Sequence, residues 1–295
     1  MQIFFRAYLI VFIALISGCV QQSSQNYPHS TATHPSKAKT SNTQVSTLPR
    51  EKRWIIFSGK STDKTEPVDL KPDSTDDLWR RVRDGMALQG HYADPRIAKQ
   101  VEWFSNNQSY IDRVMSRGEL YLYHIVEELE DNNLPLELTL LPVVESAYDP
   151  FAYSGSHASG LWQFIPMTGD RFGLKQDWWY DGRRDPLAAT EAAISYLTYL
   201  NNYFEGDWLL ALAAYNSGEG TVRRAIERNK RDGKPTDFWS LKLPRETRAY
   251  VPQLLAISRV VADPESHGIV LPSIPDSPYF DVVDLPKVPT VSSCR

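Results

Sequence analysis

The sequence is poor in cysteine and carries no excess of basic residues. Its two cysteines, Cys19 and Cys294, are too few for a disulfide framework. The formal net charge is −4, with acidic and basic residues mixed along the chain, so we expect no nucleic-acid partner. His157 has no second histidine, cysteine or acid at metal-ligand spacing, so we expect no metal and no cofactor. Composition therefore argues against a disulfide-rich, a nucleic-acid-binding or a metal-dependent protein, and it does not identify a substrate.

The N-terminus differs from the rest of the chain. Arg6 precedes an apolar run at 7–16, a pattern typical of a signal peptide ending at residue 18 and too short for a good transmembrane span. Residues 16–19 (ISGC) resemble the lipobox of bacterial lipoproteins, which implies export and lipidation of Cys19. Val20 replaces the aspartate of inner-membrane lipoproteins, which implies anchoring to outer-membrane lipid at the periplasmic face. The alternative is an ordinary secretory peptide with a chance cysteine.

The remaining chain divides into four segments. Residues 19–50 are rich in Ser, Thr, Gln and Asn and poor in large apolar residues, which predicts a flexible, disordered tether. We expect an N-terminal arm and helices at 51–130, packed on a main domain at 131–265. Residues 266–295 are punctuated by proline and are expected to form an extended tail.

Apolar spacing predicts a mainly α globule. Asp185 and Asp207 are typical helix starts, and Gly206 and Gly218 are typical helix ends. The short apolar run at 54–57 is expected to be a strand or an arm. The main predicted helices span 136–148, 186–204, 208–217, 221–229 and 245–262.

Glu145 is an unusual acid within the first of these helices. Leu138, Leu141 and Glu145 stand at i, i+3 and i+7, so the carboxyl shares a stripe with apolar side chains. Burial of a carboxyl raises its pKa, as a general acid at neutral pH requires. Pro142 is expected to kink the helix and tilt the carboxyl toward a cleft. The alternative is a partly exposed glutamate at a helix end.

Four motifs accompany this acid in a fixed order. They are LPVVESAYDP at 141–150, GLWQFIP at 160–166, AYN at 214–216 and ETRAYVP at 246–252. In this order and spacing they resemble the lytic transglycosylase domain of the soluble-lytic-transglycosylase type, with its goose-type-lysozyme-like fold. The resemblance covers roughly residues 134–261, and the local wording is most similar to a membrane-bound branch of the family. It implies a lysozyme-like helical globule with a substrate cleft and a catalytic domain at 131–265.

The resemblance assigns roles to individual residues. Glu145 is implied to be the catalytic acid/base, and Tyr250 is implied to bond or pack against it. Trp162 stands where much of the family has methionine. Substrate-binding roles are implied for five side chains: Ser146, Gln163, Tyr215, Asn216 and Tyr250.

The reaction implied is cleavage of peptidoglycan glycan strands with a 1,6-anhydro product. One carboxyl, Glu145, suffices if the 2-acetamido group of the substrate assists. Asp149 and Asp181 are alternatives for a second carboxyl, although each also fits a turn. A lysozyme-like hydrolase on the same fold and a non-catalytic glycan-binding lipoprotein remain alternatives, and no protein partner is indicated.

Aromatic residues crowd the segment after the second motif. Sugar rings stack on aromatic faces, so some of these side chains could line the cleft. Because the cluster is dense, we expect most of it to be core. Its members are Trp162, Phe164, Trp178, Trp179 and Tyr180.

Overall fold

The computed structural model describes residues 53–57 and 77–284. The predicted signal peptide and tether, Cys19 and Cys294 lie outside the described residues. In chain order the regular elements of the described ranges are strand β1 (Arg53–Phe57), helices α1 (Leu78–Asp84), α2 (Ala98–Ser105), α3 (Gln108–Asp131), α4 (Leu141–Glu145), α5 (Pro166–Arg171), α6 (Pro186–Tyr203), α7 (Trp208–Ser217), α8 (Glu219–Arg231) and α9 (Arg245–Ala262), and strand β2 (Phe280–Asp284). Short 3-10 turns occur between several of these helices.

The two strands form a small antiparallel sheet. Its register runs from the pair Arg53 and Asp284 to the pair Phe57 and Phe280. The apolar run at 54–57, expected to be a strand or an arm, is therefore a strand. Its partner is the extended part of the segment that follows the last helix.

The helices enclose one apolar core that extends from Leu78 to Ile274. Helix α2 packs along α9, and α7 packs against α6, α8 and α9. Helix α7 lies at the centre, since every residue from 209 to 214 is buried. The mainly α fold expected from apolar spacing is confirmed. Among the described residues, no helix is both long enough and apolar enough to cross a bilayer.

Local side-chain chemistry determines where the long helices begin. The Asp185 carboxylate accepts hydrogen bonds from the Leu187 and Ala188 amides and so caps α6. The Asp207 carboxylate accepts from the Leu210 amide and caps α7 in the same way. Gly218 adopts φ +80° where α7 ends, a conformation that favours glycine. The starts predicted at both aspartates and the end predicted at Gly218 are confirmed.

The prediction of one kinked helix over 136–148 is wrong. A 3-10 helix (Leu136–Leu140) is followed by the short helix α4, and the chain then turns through positive φ at Ala147 and Tyr148. Pro142 lies in the first turn of α4, where its missing N–H leaves no helical hydrogen bond unmade. The proline therefore helps α4 to begin instead of bending a longer helix.

Candidate active site

The Glu145 carboxyl lies at the end of α4, where it faces α9. The buried Tyr250 side chain on α9 reaches across and donates its hydroxyl hydrogen bond to Glu145 Oε1. The contact between these two residues that the family resemblance implies is therefore present. Helix α9 supplies it because Tyr250 shares a buried face with Leu254 and Ile257. The Tyr250 hydroxyl thus orients the acid from a neighbouring helix.

The environment of Glu145 favours its protonated form. Burial raises the pKa of the carboxyl from its ordinary 4.5 to about 7. The hydrogen bond from Tyr250 acts in the opposite direction and lowers the pKa, while the negative charge of Glu246 raises it further. The residue keeps a partly exposed edge, although neighbouring atoms exclude water from most of the carboxyl. The group can therefore both hold a proton near neutral pH and meet a substrate.

Two tyrosines adjoin this carboxyl, and both remain protonated hydrogen-bond donors. Burial, together with the charge of Glu145, raises the pKa of Tyr250 well above 10. The same two causes raise the pKa of Tyr215. The Tyr215 hydroxyl donates to the backbone oxygen of Trp162 at 2.8 Å, so this ring supports the second motif.

Ser146 and Gln163 hold the turn that borders the site. Ser146 Oγ donates to the backbone oxygen of Leu161 at 2.9 Å and so ties the end of α4 to the second motif. Gln163 adopts a positive φ of 48°, and its Nε2 donates to the backbone oxygen of Gly160 at 2.8 Å. Both side chains predicted to bind substrate therefore also fix the shape of the turn.

Asn216 is tied to a residue whose role sequence reasoning missed. Thr247 Oγ1 donates to Asn216 Oδ1 at 2.8 Å, which joins the end of α7 to the start of α9. Thr247 and Glu246 begin the fourth motif, so the motif itself was the signal for both. The charge of Glu246 acts on Glu145 across space, which helical periodicity could not reveal.

Gly160 makes the closest backbone approach in the site. Its φ is +83°, and a Cβ built there would lie 1.7 Å from the backbone oxygen of Arg183. The buried Arg183 guanidinium donates to the backbone oxygens of His157 at 2.7 Å and Phe164 at 3.2 Å. The second motif is therefore clamped onto the segment that contains Arg183.

The two alternative carboxyls have structural partners. Asp181 is paired with the Arg183 guanidinium, with 2.7 Å between Oδ2 and Nη2, and that hydrogen bond lowers the pKa of Asp181. Asp149 Oδ1 accepts from the Phe151 amide at 2.9 Å, as in an Asx turn. Both observations agree with the turn interpretation of these residues.

The expectation that most of the aromatic cluster is core is wrong, because three of its five members, Trp178, Trp179 and Tyr180, are exposed. Trp162 and Phe164 are buried, and Trp162 Nε1 donates to Thr190 Oγ1 at 3.0 Å. Trp178 and Trp179, in contrast, are 82% and 78% exposed. The sequence identified the density of aromatics correctly, but a turn carries this pair away from the core.

His157 has an aromatic partner. Its Nδ1 lies 2.5 Å from the Tyr153 hydroxyl. In the part of the chain that the structure describes, no group of three or more His, Cys, Asp and Glu side chains could hold a metal ion.

Comparison with known proteins identified a matching family and similar sequences. Residues 123–238 match the family model described as Transglycosylase SLT domain. Membrane-bound lytic murein transglycosylase D of Escherichia coli (strain K12) is 45% identical over 221 residues, covering 75% of this chain and 48% of that protein. A protein named for tributyltin chloride resistance, from Alteromonas sp. (strain M-1), is 40% identical over 197 residues, covering 67% of this chain and 86% of its own length.

Several solved structures are also similar. One of them is the lytic transglycosylase Slt inactive mutant of Pseudomonas aeruginosa, which has a TM-score of 0.40 and 26% identity, covering 53% of this chain and 25% of that chain. The chain spans about half the length of the Escherichia coli relative.

Proposed function

Because this chain belongs to the transglycosylase SLT domain family, we propose that it cleaves peptidoglycan glycan strands as a lytic transglycosylase. The scissile bond is the β-1,4 bond between N-acetylmuramic acid and N-acetylglucosamine. The observation that carries the proposal is the Glu145 carboxyl, which is shielded from water, held by Tyr250 and protonated near neutral pH. We assign residues 131–265 as the catalytic domain, with the arm and helices of 51–130 packed on it.

Glu145 acts twice in the proposed reaction. Its protonated carboxyl donates a proton to the glycosidic oxygen as the bond from C1 to that oxygen breaks, while the 2-acetamido group of the substrate stabilises C1. The ionised carboxylate then takes the proton from the C6 hydroxyl as O6 bonds to C1. The product is a 1,6-anhydro sugar, water is not consumed, and the enzyme regains its proton. No cofactor enters this scheme.

The surrounding side chains position the acid and the glycan. Tyr250 keeps the carboxyl oriented and stabilises the ionised form between the two proton transfers. We propose that Ser146, Gln163, Tyr215 and Asn216 line the groove on either side of the acid. Their structural hydrogen bonds support this role because they hold these side chains and the turn beside the acid in fixed positions.

Product analysis tests this function against hydrolysis on the same fold. Purified sacculi digested by the protein are expected to yield muropeptides with 1,6-anhydro ends, detected by mass spectrometry as products one water lighter than reducing ends. Ordinary reducing ends without anhydro ends would show a lysozyme-like hydrolase. Retention on sacculi without any released fragment would instead show a glycan-binding lipoprotein.

The pH dependence of kcat/KM should report the Glu145 pKa. Above about pH 7 the acid form is lost, so kcat/KM is expected to fall tenfold per pH unit. The Tyr250 hydrogen bond lowers that pKa, so Tyr250→Phe should move the fall to higher pH while lowering the plateau. Tyr199→Phe removes a hydroxyl of α6 that makes no contact with Glu145 and should leave the profile in place. A Tyr250→Phe profile unmoved, or moved to lower pH, would contradict this assignment.

The membrane location follows from the N-terminal pattern. We propose that Cys19 is lipidated and anchors the chain to the outer membrane at its periplasmic face, with residues 19–50 as the tether. A relative named as membrane-bound supports membrane association. Fractionation of a Cys19→Ala variant tests the anchor, since a variant that stays in the membrane fraction would refute it.

A further inference from the structure

Two tryptophans project from the surface between α5 and α6. Trp178 is 82% exposed and Trp179 is 78% exposed. Their ring centroids lie 4.0 Å apart at an interplanar angle of 35°, so the two indoles contact each other in a tilted arrangement and still expose most of their surface. Exposing so large an apolar pair is unfavourable in water, and such surfaces mark interaction sites.

The turn that carries this pair is rigid. The Asp177 amide donates to the backbone oxygen of Tyr180 at 2.8 Å, and Asp177 Oδ1 accepts from the amides of Trp179 at 2.8 Å and Tyr180 at 2.9 Å. At its base, the Gly182 amide donates to the backbone oxygen of Lys175 at 2.9 Å. A ligand that stacks here therefore orders little of the protein, which favours binding.

The tryptophans border a cleft that also presents polar groups. It has a volume of about 590 Å³, and its lining includes Tyr180, Arg184 and Asp185. The Tyr180 hydroxyl donates to Asp185 Oδ2 at 2.8 Å, which joins two of the lining residues. Arg184 Nε donates to Ser159 Oγ at 3.0 Å, and the terminal N–H groups of this guanidinium make no hydrogen bond within the described residues. Those groups can donate to a ligand.

We propose that this cleft is a remote subsite that holds the glycan strand away from the cleaved bond. Sugar rings bind through their C–H faces to aromatic rings and through their hydroxyl and amide groups to polar side chains, and the lining offers both. The subsite rests on the proposed function, because it takes a distant part of the same polymeric substrate.

Charge favours a glycan over a lipid surface as the occupant. Three aspartates, Asp177, Asp181 and Asp185, line the cleft with one arginine, Arg184. Asp181 is paired with Arg183, which leaves Asp177 and Asp185 against Arg184. An anionic membrane surface would be repelled by this balance, whereas the uncharged N-acetylglucosamine rings of the strand are not.

Hydrogen bonds link the proposed subsite to the turn beside Glu145. Arg183 follows the tryptophan turn directly and donates to the backbone oxygens of His157, which precedes the second motif, and Phe164, which lies within it. That motif contains Gln163, and its Leu161 accepts from Ser146 beside the catalytic acid. The segment that would hold the glycan strand at the tryptophans is therefore hydrogen-bonded to the segment that positions Glu145.

Substrate length is the variable that tests the subsite. We compare kcat/KM of the full chain and of a Trp178→Ala/Trp179→Ala variant on long glycan strands and on a tetrasaccharide. For each protein we take the kcat/KM on long strands divided by the kcat/KM on the tetrasaccharide. This ratio is expected to be about tenfold lower in the variant than in the wild type, equivalent to about 1.4 kcal/mol of lost binding. A Trp178→Phe/Trp179→Phe variant should recover most of the ratio. Trp103→Ala removes a half-exposed tryptophan of α2 and should not change it.

Binding without cleavage provides the second readout. In a Glu145→Gln background, the alanine variant should cosediment less with sacculi, while binding to phosphatidylglycerol and phosphatidylethanolamine vesicles should not differ. An unchanged ratio and unchanged sedimentation would overturn the proposal. Equal losses on both substrate lengths, or a loss confined to vesicles, would overturn it in favour of a structural or a lipid-binding role.

The outcomes also separate this proposal from the proposed function. Should the products lack anhydro ends while sacculus binding still depends on the tryptophans, the subsite stands and the transglycosylase mechanism falls. If the products carry anhydro ends but sacculus binding does not depend on the tryptophans, the transglycosylase mechanism stands and the subsite proposal falls.

Discussion

Replacing Glu145 with glutamine is expected to reduce the turnover of sacculi by about a thousandfold or more. General acid–base catalysis by one group contributes roughly 10²–10⁴-fold, and Glu145 serves as both acid and base in the proposed cycle. The amide preserves the shape of the side chain but can neither donate nor accept the proton. Release of soluble muropeptides, followed chromatographically at pH 6, measures the loss.

Stability measurements separate lost chemistry from lost structure. The carboxyl titrates near 4.5 in the unfolded chain and near 7 in the folded protein, so its contribution to stability is lost as pH rises from 4.5 through 7. Glutamine does not ionise, and the Glu145→Gln variant should therefore be roughly 1–3 kcal/mol more stable than the wild type at pH 8. An inactive variant that unfolds more easily at pH 8 would not support the catalytic interpretation.

The two acids considered as second carboxyls provide matched controls. Asp149→Asn and Asp181→Asn remove the charges considered as second carboxyls, and both variants should retain turnover within about tenfold. Asp181→Asn should lower stability, because the buried Arg183 loses its ionic partner. A loss at Asp149 as large as that at Glu145 would instead require a two-carboxylate mechanism.

Gly160→Ala is expected to destabilise the catalytic domain by about 4 kcal/mol. The added Cβ would lie 1.7 Å from the backbone oxygen of Arg183, and the residue would have to keep a φ of +83°. Backbone strain of this kind costs about 1–3 kcal/mol, and overpacking adds about 1–3 kcal/mol. For a domain of this size the melting temperature should fall by roughly 10 °C in thermal unfolding followed by circular dichroism.

Gly173→Ala is the matched control for this effect. Gly173 has a similar φ of +86°, but a Cβ there would meet nothing within 4 Å. Only the strain term remains, so destabilisation should be about 1–2 kcal/mol. Equal losses at the two glycines would show that the close approach to Arg183 is unimportant. In Gly160→Ala the turn that holds Gln163 must also shift, so turnover should fall with stability.

Local signals in the sequence predicted the long helices well. The caps at Asp185 and Asp207 act within three residues, so they are readable without knowledge of the fold. The sequence correctly predicted that the Glu145 carboxyl is shielded, but the single helix from which this was argued is not present. The 3-10 helix before α4 changes the helical spacing, yet Leu138 and Leu141 remain buried because both elements pack on the same core.

The aromatic cluster shows where such reasoning fails. Trp162 and Trp178 are equally apolar, and composition gives no reason to separate them. One lies in the core against α6, and the other lies on a turn held by Asp177 that projects into solvent. Burial is a property of the assembled chain, so an aromatic on a rigid turn can be exposed in spite of its hydrophobicity.

The amino-acid pattern by itself determined the helical class, the helix caps and the presence of an acid among apolar neighbours in the chain, because these depend on residues close to one another in sequence. Tertiary structure alone decided what surrounds that acid. Tyr250 stands 105 residues from Glu145 in sequence, and only the packing of α9 against α4 brings its hydroxyl to the carboxyl. A pKa depends on the water that is excluded and the charges that are near, and both are set by which distant segments meet.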